Sequence, residues 1–136
     1  MPLAQPVVVD ANILISLLIA KGTKHKLFFS EHIIPNSPEL VLFEVGKYWK
    51  RIAGQSGLPE EELKLSFSAV RKQLSTVPLS EVKEWIKEAQ SFSPDKDDIE
   101  YFALALKLGC LIWSEDKRLK AQSRVKVFST KELRLA

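Results

Sequence analysis

Short apolar runs alternate with longer amphipathic segments along the chain. Three of these runs are apolar at nearly every position and have the length of buried strands, and two more are only two residues long. The five candidate strands are Val7–Val9, Ile33–Ile34, Thr76–Val77, Cys110–Trp113 and Val125–Phe128. Pro78 directly follows the third of them. Because proline within a sheet is confined to its edges, we expect Thr76–Val77 at the edge of the sheet.

The segments between these runs have helical length, and several begin with helix-start signals. Ser37–Glu39 places a capping hydroxyl, a proline and a carboxylate in succession. Asp97 with Glu100, and Ser129 with Glu132, have the spacing of a capping box. The predicted helices cover residues 11–20, 24–30, 37 to about 53, 59 to about 74, 81–90, 98–108 and a terminal segment that follows Ser129.

The alternation of short apolar strands with helices predicts an α/β fold. Such a pattern is typical of a parallel sheet that is covered by helices on both faces. No linker, repeat or low-complexity segment divides the chain, so we expect residues 1–136 to form a single domain. The most apolar stretch, residues 6–20, is interrupted by polar residues and is too short to span a bilayer. It also lacks the basic start of a secretory signal, so we expect a soluble cytoplasmic protein.

The composition excludes several kinds of site. Cys110 is the single cysteine, and His25 and His32 are the only histidines. These residues cannot supply a disulfide framework or the four ligands of a Cys/His zinc site. They also argue against catalysis by a Ser-His-Asp or Cys-His group. The net charge of +3 permits binding of nucleic acid without identifying it.

Acidic residues follow or precede the predicted strands at informative places. Asp10 directly follows the first strand, and Asp116 comes three residues after the strand that ends at Trp113. Asp98 lies in the first turn of the helix that leads into that strand. Ligand sites in parallel α/β sheets lie outside the carboxyl ends of the strands, so we expect these three carboxylates to meet there. Glu44, one turn inside its helix, can join them.

Four carboxylates in one place require neutralisation. At a separation of ~4 Å and an effective dielectric of 20, one pair of them repels by about 4 kcal/mol. Protons or a hard cation relieve this repulsion, and oxygen-only ligands favour Mg²⁺ or Mn²⁺. A divalent ion held in this way can activate water and stabilise the leaving oxygen of a phosphodiester. Helix capping remains the alternative role for each aspartate, and an exposed helix position is the alternative for Glu44.

Four segments resemble the sequence motifs of the PIN domain (PilT N-terminus) family. The first has a strand that ends in Asp-x-Asn, the second carries a glutamate, the third an aspartate seven residues before an alanine, and the last a Ser-x-Asp ending. They are Val7–Ile15, Ser37–Val45, Asp95–Leu106 and Ile112–Lys117. The resemblance covers nearly the whole chain, in the order that the family has.

The resemblance implies a fold, an activity and partners. The expected fold is a three-layer α/β/α sandwich with a short central parallel sheet. The expected activity is that of an endoribonuclease dependent on one or two Mg²⁺ or Mn²⁺ ions, with single-stranded RNA as substrate. Similarity to the VapC-type ribonucleases implies the toxin of a toxin–antitoxin pair, hence an antitoxin protein as partner. The catalytic and metal-binding residues that the resemblance selects are Asp10, Glu44, Asp98 and Asp116.

Neighbouring residues are candidates for supporting roles. Asn12, Ser114 and Asp95 would orient the acidic side chains, and turn or cap formation is the alternative for each of them. The basic residues that directly follow Asp116 would contact RNA phosphates. They are Lys117, Arg118 and Lys120. The alternatives are a solvated surface at these residues and an RNA path along Lys47, Lys50 and Arg51.

Two further hypotheses concern assembly and alternative function. The helices between residues 58 and 90 carry more apolar residues than we expect a small sandwich to bury, and PIN domains often dimerise, so we expect a homodimer through this region. The apolar residues concerned are Leu63, Leu65, Phe67, Val70, Val82, Trp85 and Ile86. The alternative function is a non-catalytic RNA-binding or protein-binding module that retains the fold. A phosphotransfer receiver is disfavoured, since Val9 and Asn12 stand where it would need acids.

Overall fold

The sheet is the centre of the molecule. A computed structural model describes residues 4–136. Its five strands form one parallel sheet in the order β3-β2-β1-β4-β5. The strands are β1 (Gln5–Val9), β2 (Ile33–Pro38), β3 (Ser75–Val77), β4 (Ile112–Trp113) and β5 (Val127–Phe128). The predicted parallel sheet is confirmed, with Thr76–Val77 in the edge strand β3.

Helices cover both faces of this sheet, so the fold is the predicted three-layer α/β/α sandwich. Helices α6 and α7 pack against each other on one side, while α1 contacts α2, α3, α4 and α5. The helices are α1 (Ala11–Ile19), α2 (Thr23–Phe28), α3 (Leu40–Lys47), α4 (Trp49–Ser56), α5 (Glu60–Gln73), α6 (Leu79–Phe92), α7 (Ile99–Leu108) and α8 (Thr130–Leu135). None of the helices within residues 4–136 combines the length and apolar character that a membrane span requires.

The core forms where the most apolar segments meet. Val7–Val9 of β1 and Ile112–Trp113 of β4 are almost completely buried. Tyr101–Ala105 of α7 lies against them and is equally buried. A central parallel strand contacts helices on both faces, which explains why these runs are apolar at consecutive positions. The core thereby fixes the carboxyl ends of β1 and β4 side by side.

The helix that was predicted to start at Ser37 begins later. Ser37 and Pro38 belong to β2, and the Ser37 hydroxyl, which is fully buried, donates a hydrogen bond to the Val9 carbonyl at 2.5 Å. This tertiary contact outweighs the local helix-start signal. The helix starts at Leu40 and is interrupted at Tyr48, whose φ of −103° and ψ of 12° separate α3 from α4.

The predicted capping box at Asp97 is also wrong. A 3-10 turn, Lys96–Asp98, precedes α7, and the Asp95 carboxylate caps this turn by accepting the Asp97 N–H at 2.9 Å. Asp98 stands at the N-cap position of α7, but its side chain makes no capping hydrogen bond. The second predicted capping box, Ser129 with Glu132 at the start of α8, is confirmed.

The apolar residues of the middle helices are mostly accounted for by the domain itself. Leu63, Val70 and Val82 are buried, and Phe67, Trp85 and Ile86 pack against the core. Only Leu65 among the seven is exposed, at 71%. The surplus of apolar surface from which a homodimer was predicted is therefore absent, and the homodimer itself stays a prediction from family resemblance.

Candidate active site

A cavity of about 510 Å³ opens at the carboxyl end of the sheet. Acidic side chains from four separate parts of the chain line it: Asp10 after β1, Glu44 on α3, Asp98 at the start of α7 and Asp116 after β4. The structure thus brings together the four acids that the sequence singled out. Asp95 and Asp97 line the same cavity.

Asp10 is the most firmly held of these acids. Its side chain is buried; one carboxylate oxygen accepts the Ala11 N–H at 2.7 Å. The other oxygen accepts hydrogen bonds from the Ser114 hydroxyl at 2.6 Å and from Asn12 Nδ2 at 3.2 Å. Burial raises the pKa of the Asp10 carboxyl above its ordinary value, although the hydrogen bonds from Ser114 and Ala11 oppose the shift. Asp10 therefore caps α1 and faces the cavity at once.

Ser114 and Asn12 connect the two central strands at the site. Besides its bond to Asp10, the Ser114 oxygen accepts Asn12 Nδ2 at 3.1 Å and the Asp116 N–H at 3.0 Å. The side-chain oxygen of Asn12, Oδ1, accepts the Glu115 N–H at 3.4 Å. These bonds fix the loop that follows β4 against the end of β1. Both side chains thus contact Asp10, and their role in orienting metal ligands stays a prediction.

Glu44 has a partner that the sequence did not reveal. The Tyr101 hydroxyl, buried in α7, donates a hydrogen bond to Glu44 Oε1 at 3.0 Å. Burial raises the pKa of Glu44 despite this hydrogen bond, and the charge of Asp10 raises it further. The same burial and the nearby carboxylates raise the pKa of Tyr101, so the phenol remains a donor. Tyr101 lies in an apolar helical run, which gave no signal beyond core packing.

The pKa of Asp98 is raised by burial and by the negative charges of neighbouring carboxylates. The residue is half-buried, and its pKa is raised to about 7 by burial first and then by the charges of Asp10, Asp95, Asp116 and Glu44. The charges of four other acids of the cavity therefore act on the Asp98 carboxyl.

Asp116 has the opposite environment, because Arg118 lies against it. The guanidinium donates from Nη2 to Oδ2 at 2.8 Å and from Nε to Oδ1 at 3.1 Å. These bonds hold the pKa of Asp116 below its ordinary value. Asp116 also accepts the Arg118 N–H at 3.0 Å, which caps the 3-10 turn Lys117–Lys120.

The PIN domain family model matches residues 8–136, which includes all of these acids. The chain belongs to the PIN domain family. The crystal structure of PAE2754 from Pyrobaculum aerophilum has a similar fold, with a TM-score of 0.61 over 98% of this chain and 88% of that chain. The two sequences are 19% identical, so this likeness concerns the fold alone. No curated protein sequence matches the chain.

PIN domains are generally nucleases, and those nucleases typically use divalent metal ions. The donors of this PIN domain fit such an ion chemically, since the cavity presents carboxylate oxygens, which Mg²⁺ and Mn²⁺ prefer. Within residues 4–136, however, no three His, Cys, Asp or Glu side chains are arranged so that they could hold an ion. The predicted metal centre is therefore not closed in this geometry. The Arg118 guanidinium binds both carboxylate oxygens of Asp116.

The three basic residues predicted to contact RNA occupy different environments in this PIN domain. All three are exposed, but only Arg118 lines the cavity. Lys120 forms an ion pair with Glu132 of α8. Two further residues also line the cavity: Tyr48, which the sequence analysis did not place at the site, and Arg51, which it named in the alternative RNA path.

The loop between β4 and the 3-10 turn is held from the far side as well. The Glu115 carboxylate accepts the Thr130 N–H at 3.2 Å and the Thr130 hydroxyl at 3.1 Å. Trp113 Nε1 donates to the same hydroxyl at 3.0 Å. Helix α8 therefore braces the segment that carries Ser114 and Asp116.

Proposed function

We propose that this PIN domain is an endoribonuclease that cleaves phosphodiester bonds of single-stranded RNA with the help of bound Mg²⁺ or Mn²⁺. One observation carries the proposal: Asp10, Glu44, Asp98 and Asp116 line a single cavity at the carboxyl end of the sheet. The chain belongs to a family of nucleases, and it lacks the histidine and cysteine sets that other hydrolytic sites use.

In this proposal the four acids are catalytic residues because they hold the ion. A divalent ion bound there supplies a Lewis acid that activates water and stabilises the charge of the reacting phosphate. Asp10 contributes a carboxylate whose orientation Ser114 and Asn12 already fix. Tyr101 does the same for Glu44. Outer partners of this kind keep a ligand in the geometry that binding requires.

Asp116 requires a rearrangement before it can serve as a ligand. Both of its carboxylate oxygens accept hydrogen bonds from Arg118. Because Arg118 is exposed and attached two residues away, its side chain can leave without disturbing the core. The freed guanidinium would lie next to the entering RNA, where it can bind a phosphate in the same forked manner.

The basic residues beside the acidic cavity would attract the negatively charged RNA backbone, which the acids alone would repel. Lys117 and Arg118 would contact phosphates, and Lys120 would do so after leaving Glu132. Such contacts position a strand without selecting its bases, which suits single-stranded RNA. The finer identity rests on the resemblance alone: a cytoplasmic toxin that acts as a homodimer and is inhibited by an antitoxin protein.

The second candidate is a non-catalytic module that binds RNA or protein and keeps the PIN fold. It is favoured by the finding that no three acids within residues 4–136 are arranged to hold an ion. Catalysis requires that the carboxylates move together around the ion when it binds. A binding module requires no such movement.

A cleavage assay separates the two candidates. The purified protein is incubated with a single-stranded RNA and with its duplex in Mn²⁺, Mg²⁺ or EDTA. We expect cleavage of the single strand with either ion, none in EDTA, and none by Asp10→Asn. Glu84→Gln, a matched charge removal at an exposed position on α6, should cleave like the wild type. Metal-independent binding without cleavage would favour the non-catalytic module.

A further inference from the structure

Two aromatic rings near the cavity are exposed, and each has a basic side chain over its face. Tyr48 is 44% exposed and Phe43 is 68% exposed. The Arg51 guanidinium carbon lies 4.8 Å from the centre of the Tyr48 ring, and Lys47 Nζ lies 5.5 Å from the centre of the Phe43 ring. Aromatic and cationic side chains are thus paired on the α3–α4 surface.

The Tyr48–Arg51 pair lines the acidic cavity, and the Phe43–Lys47 pair lies on α3, the helix that carries Glu44. Tyr48 and Arg51 share this cavity with Glu44, which lies on α3 between Phe43 and Tyr48. The helices that carry the two rings are anchored in the core, because Val45 of α3 and Ile52 of α4 are fully buried. The break between the helices at Tyr48 places one ring at the junction and the other on α3.

The core does not explain either ring. Neither Phe43 nor Tyr48 is among the hydrophobic residues that pack against the core, whereas Trp49, directly after Tyr48, packs there. Tyr101, the other tyrosine, is 1% exposed and bonded to Glu44. Exposed rings beside cations are the usual surface on which unpaired bases stack, because every base has a π-face and the cations attract the backbone.

We propose that the Tyr48–Arg51 pair stacks an unpaired base of the nucleic acid whose phosphate enters the acidic cavity, and that the Phe43–Lys47 pair stacks a further base along the strand. The inference rests on the proposed nuclease function and adds the path of the substrate to it. The base lies on the aromatic ring or on the guanidinium plane, and Lys47 and Arg51 neutralise neighbouring phosphates. Recognition of this kind tolerates any base sequence and excludes a duplex, whose bases are already stacked.

The test measures stacking without cleavage. A single-stranded oligoribonucleotide that carries one 2-aminopurine is titrated with protein in EDTA, and the fluorescence reports stacking of that base. We expect quenching with the wild type and with Tyr48→Phe, which keeps the ring. Tyr48→Leu should lose the quenching and bind roughly tenfold more weakly. Phe43→Leu should weaken binding by a smaller factor, about threefold.

Controls make the result specific. Phe29→Leu removes a partly exposed ring that lines a different groove, beside Leu65, and should change neither quenching nor affinity. An oligoribonucleotide with an abasic residue at the probe position has no base to stack there. The wild type and Tyr48→Leu should bind it with the same affinity. Thermal melting of each variant verifies folding, which substitution of an exposed side chain should leave intact.

The outcomes separate this inference from the nuclease proposal. If Tyr48→Leu quenches and binds like the wild type while the wild type cleaves RNA, the stacking surface is wrong and the nuclease stands. If quenching depends on Tyr48 but no metal ion supports cleavage, the stacking surface stands and the nuclease fails. If Tyr48→Leu instead lowers the mass measured by light scattering, the rings belong to an interface between two copies, and the inference is overturned.

Discussion

The two sides of the acidic cavity are built differently. On one side, Asp10 is buried, and both of its carboxylate oxygens are bonded to the main chain and to two neighbouring side chains. On the other side, Asp98 is half-buried with no capping hydrogen bond, and Asp116 is bonded to the exposed Arg118. Partners inside the domain restrain the Asp10 carboxylate, whereas the partner of Asp116 is an exposed side chain.

We therefore expect the two groups of carboxylates to contribute differently to ion binding. A carboxylate that is already oriented loses little freedom when it binds an ion, which favours affinity. Carboxylates on the side of Asp98 and Asp116 can approach the ion only after a proton or a guanidinium leaves them. We therefore expect substitutions on the side of Asp10 to have the largest effects and substitutions on the side of Asp116 to have the smallest.

Replacement of Asp10 should have the largest effect on activity. Asp10→Asn keeps the shape of the side chain but removes the charge that the ion requires. We expect cleavage to fall by more than the ~100-fold that loss of an outer partner typically costs. The melting temperature in EDTA should hold or rise, because the burial that raises the pKa of Asp10 disfavours its charge. Cleavage at the wild-type rate would show that Asp10 is not a ligand.

Loss of the Ser114 hydroxyl should affect the side of Asp10 more mildly. Ser114→Ala removes the hydrogen bond that orients Asp10 and the acceptor of the Asp116 N–H. We expect Mn²⁺ affinity, measured by calorimetry, to fall about 10- to 100-fold. Ser37→Ala is the matched control, because Ser37 is equally buried but bonds to the Val9 carbonyl. It should cost stability and leave Mn²⁺ affinity unchanged; equal losses in both variants would mean that Ser114 acts only through folding.

Asp98 should make the stability of the metal-free protein depend on pH. Its pKa is raised from 3.8 to about 7, so the folded protein binds this proton more tightly than the unfolded chain does. The stabilisation is complete below about pH 4 and is lost as the pH rises through about 7. The full shift corresponds to about 4 kcal/mol, and solvent screening of a half-buried group reduces this to roughly 1–2 kcal/mol.

Urea unfolding in EDTA at a series of pH values checks this prediction. The unfolding free energy of Asp98→Asn should fall less between pH 4 and pH 8 than that of the wild type. Asp97→Asn, the exposed neighbour, should follow the wild-type profile. Parallel profiles for the wild type and Asp98→Asn would contradict the prediction.

Removal of Arg118 should have the smallest effect. It should increase the affinity for Mn²⁺ and decrease the affinity for RNA. Arg118→Ala frees the Asp116 carboxylate, so we expect Mn²⁺ to bind about two- to fivefold more tightly, as suits the loss of one exposed ion pair. RNA binding should weaken, and the slope of its log–log salt dependence should decrease by about 0.7. Lys120→Ala is the comparison: it should leave Mn²⁺ affinity unchanged, because Lys120 does not line the cavity. It should weaken RNA binding less than Arg118→Ala does, because Lys120 must first leave Glu132. Unchanged Mn²⁺ affinity in Arg118→Ala would show that the fork does not compete with the ion.

The positions of the acids could be predicted from the sequence because each is tied to an element boundary. Asp10 directly follows β1, and in a parallel sheet such a residue lies at the carboxyl edge. Asp98 and Asp116 flank the α7–β4 unit in the same way. The apolar runs of β1 and β4 predicted the central strands for a similar reason, since burial on both faces demands continuous apolar sequence.

The partners of the acids could not be predicted, because they depend on tertiary packing. Tyr101 was indistinguishable from the apolar residues around it until α7 was placed against α3. The helix-start signal at Ser37 failed because β1 offered its hydroxyl a buried acceptor. At 95–98, three aspartates compete for one cap within four residues, and propensity alone does not say that Asp95 wins.

The hydrogen bond between Ser114 and Asp10 joins residues 104 positions apart in the chain. During synthesis, β1 emerges from the ribosome before β4, its neighbour in the sheet, which lies much later in the chain. Domains gain their long-range contacts only when both partners are outside. The cavity thus cannot assemble on a nascent chain until residues 112–116 have left the ribosome. A PIN domain that attacks RNA would therefore be inactive on the ribosome until the segment that follows β4 has emerged.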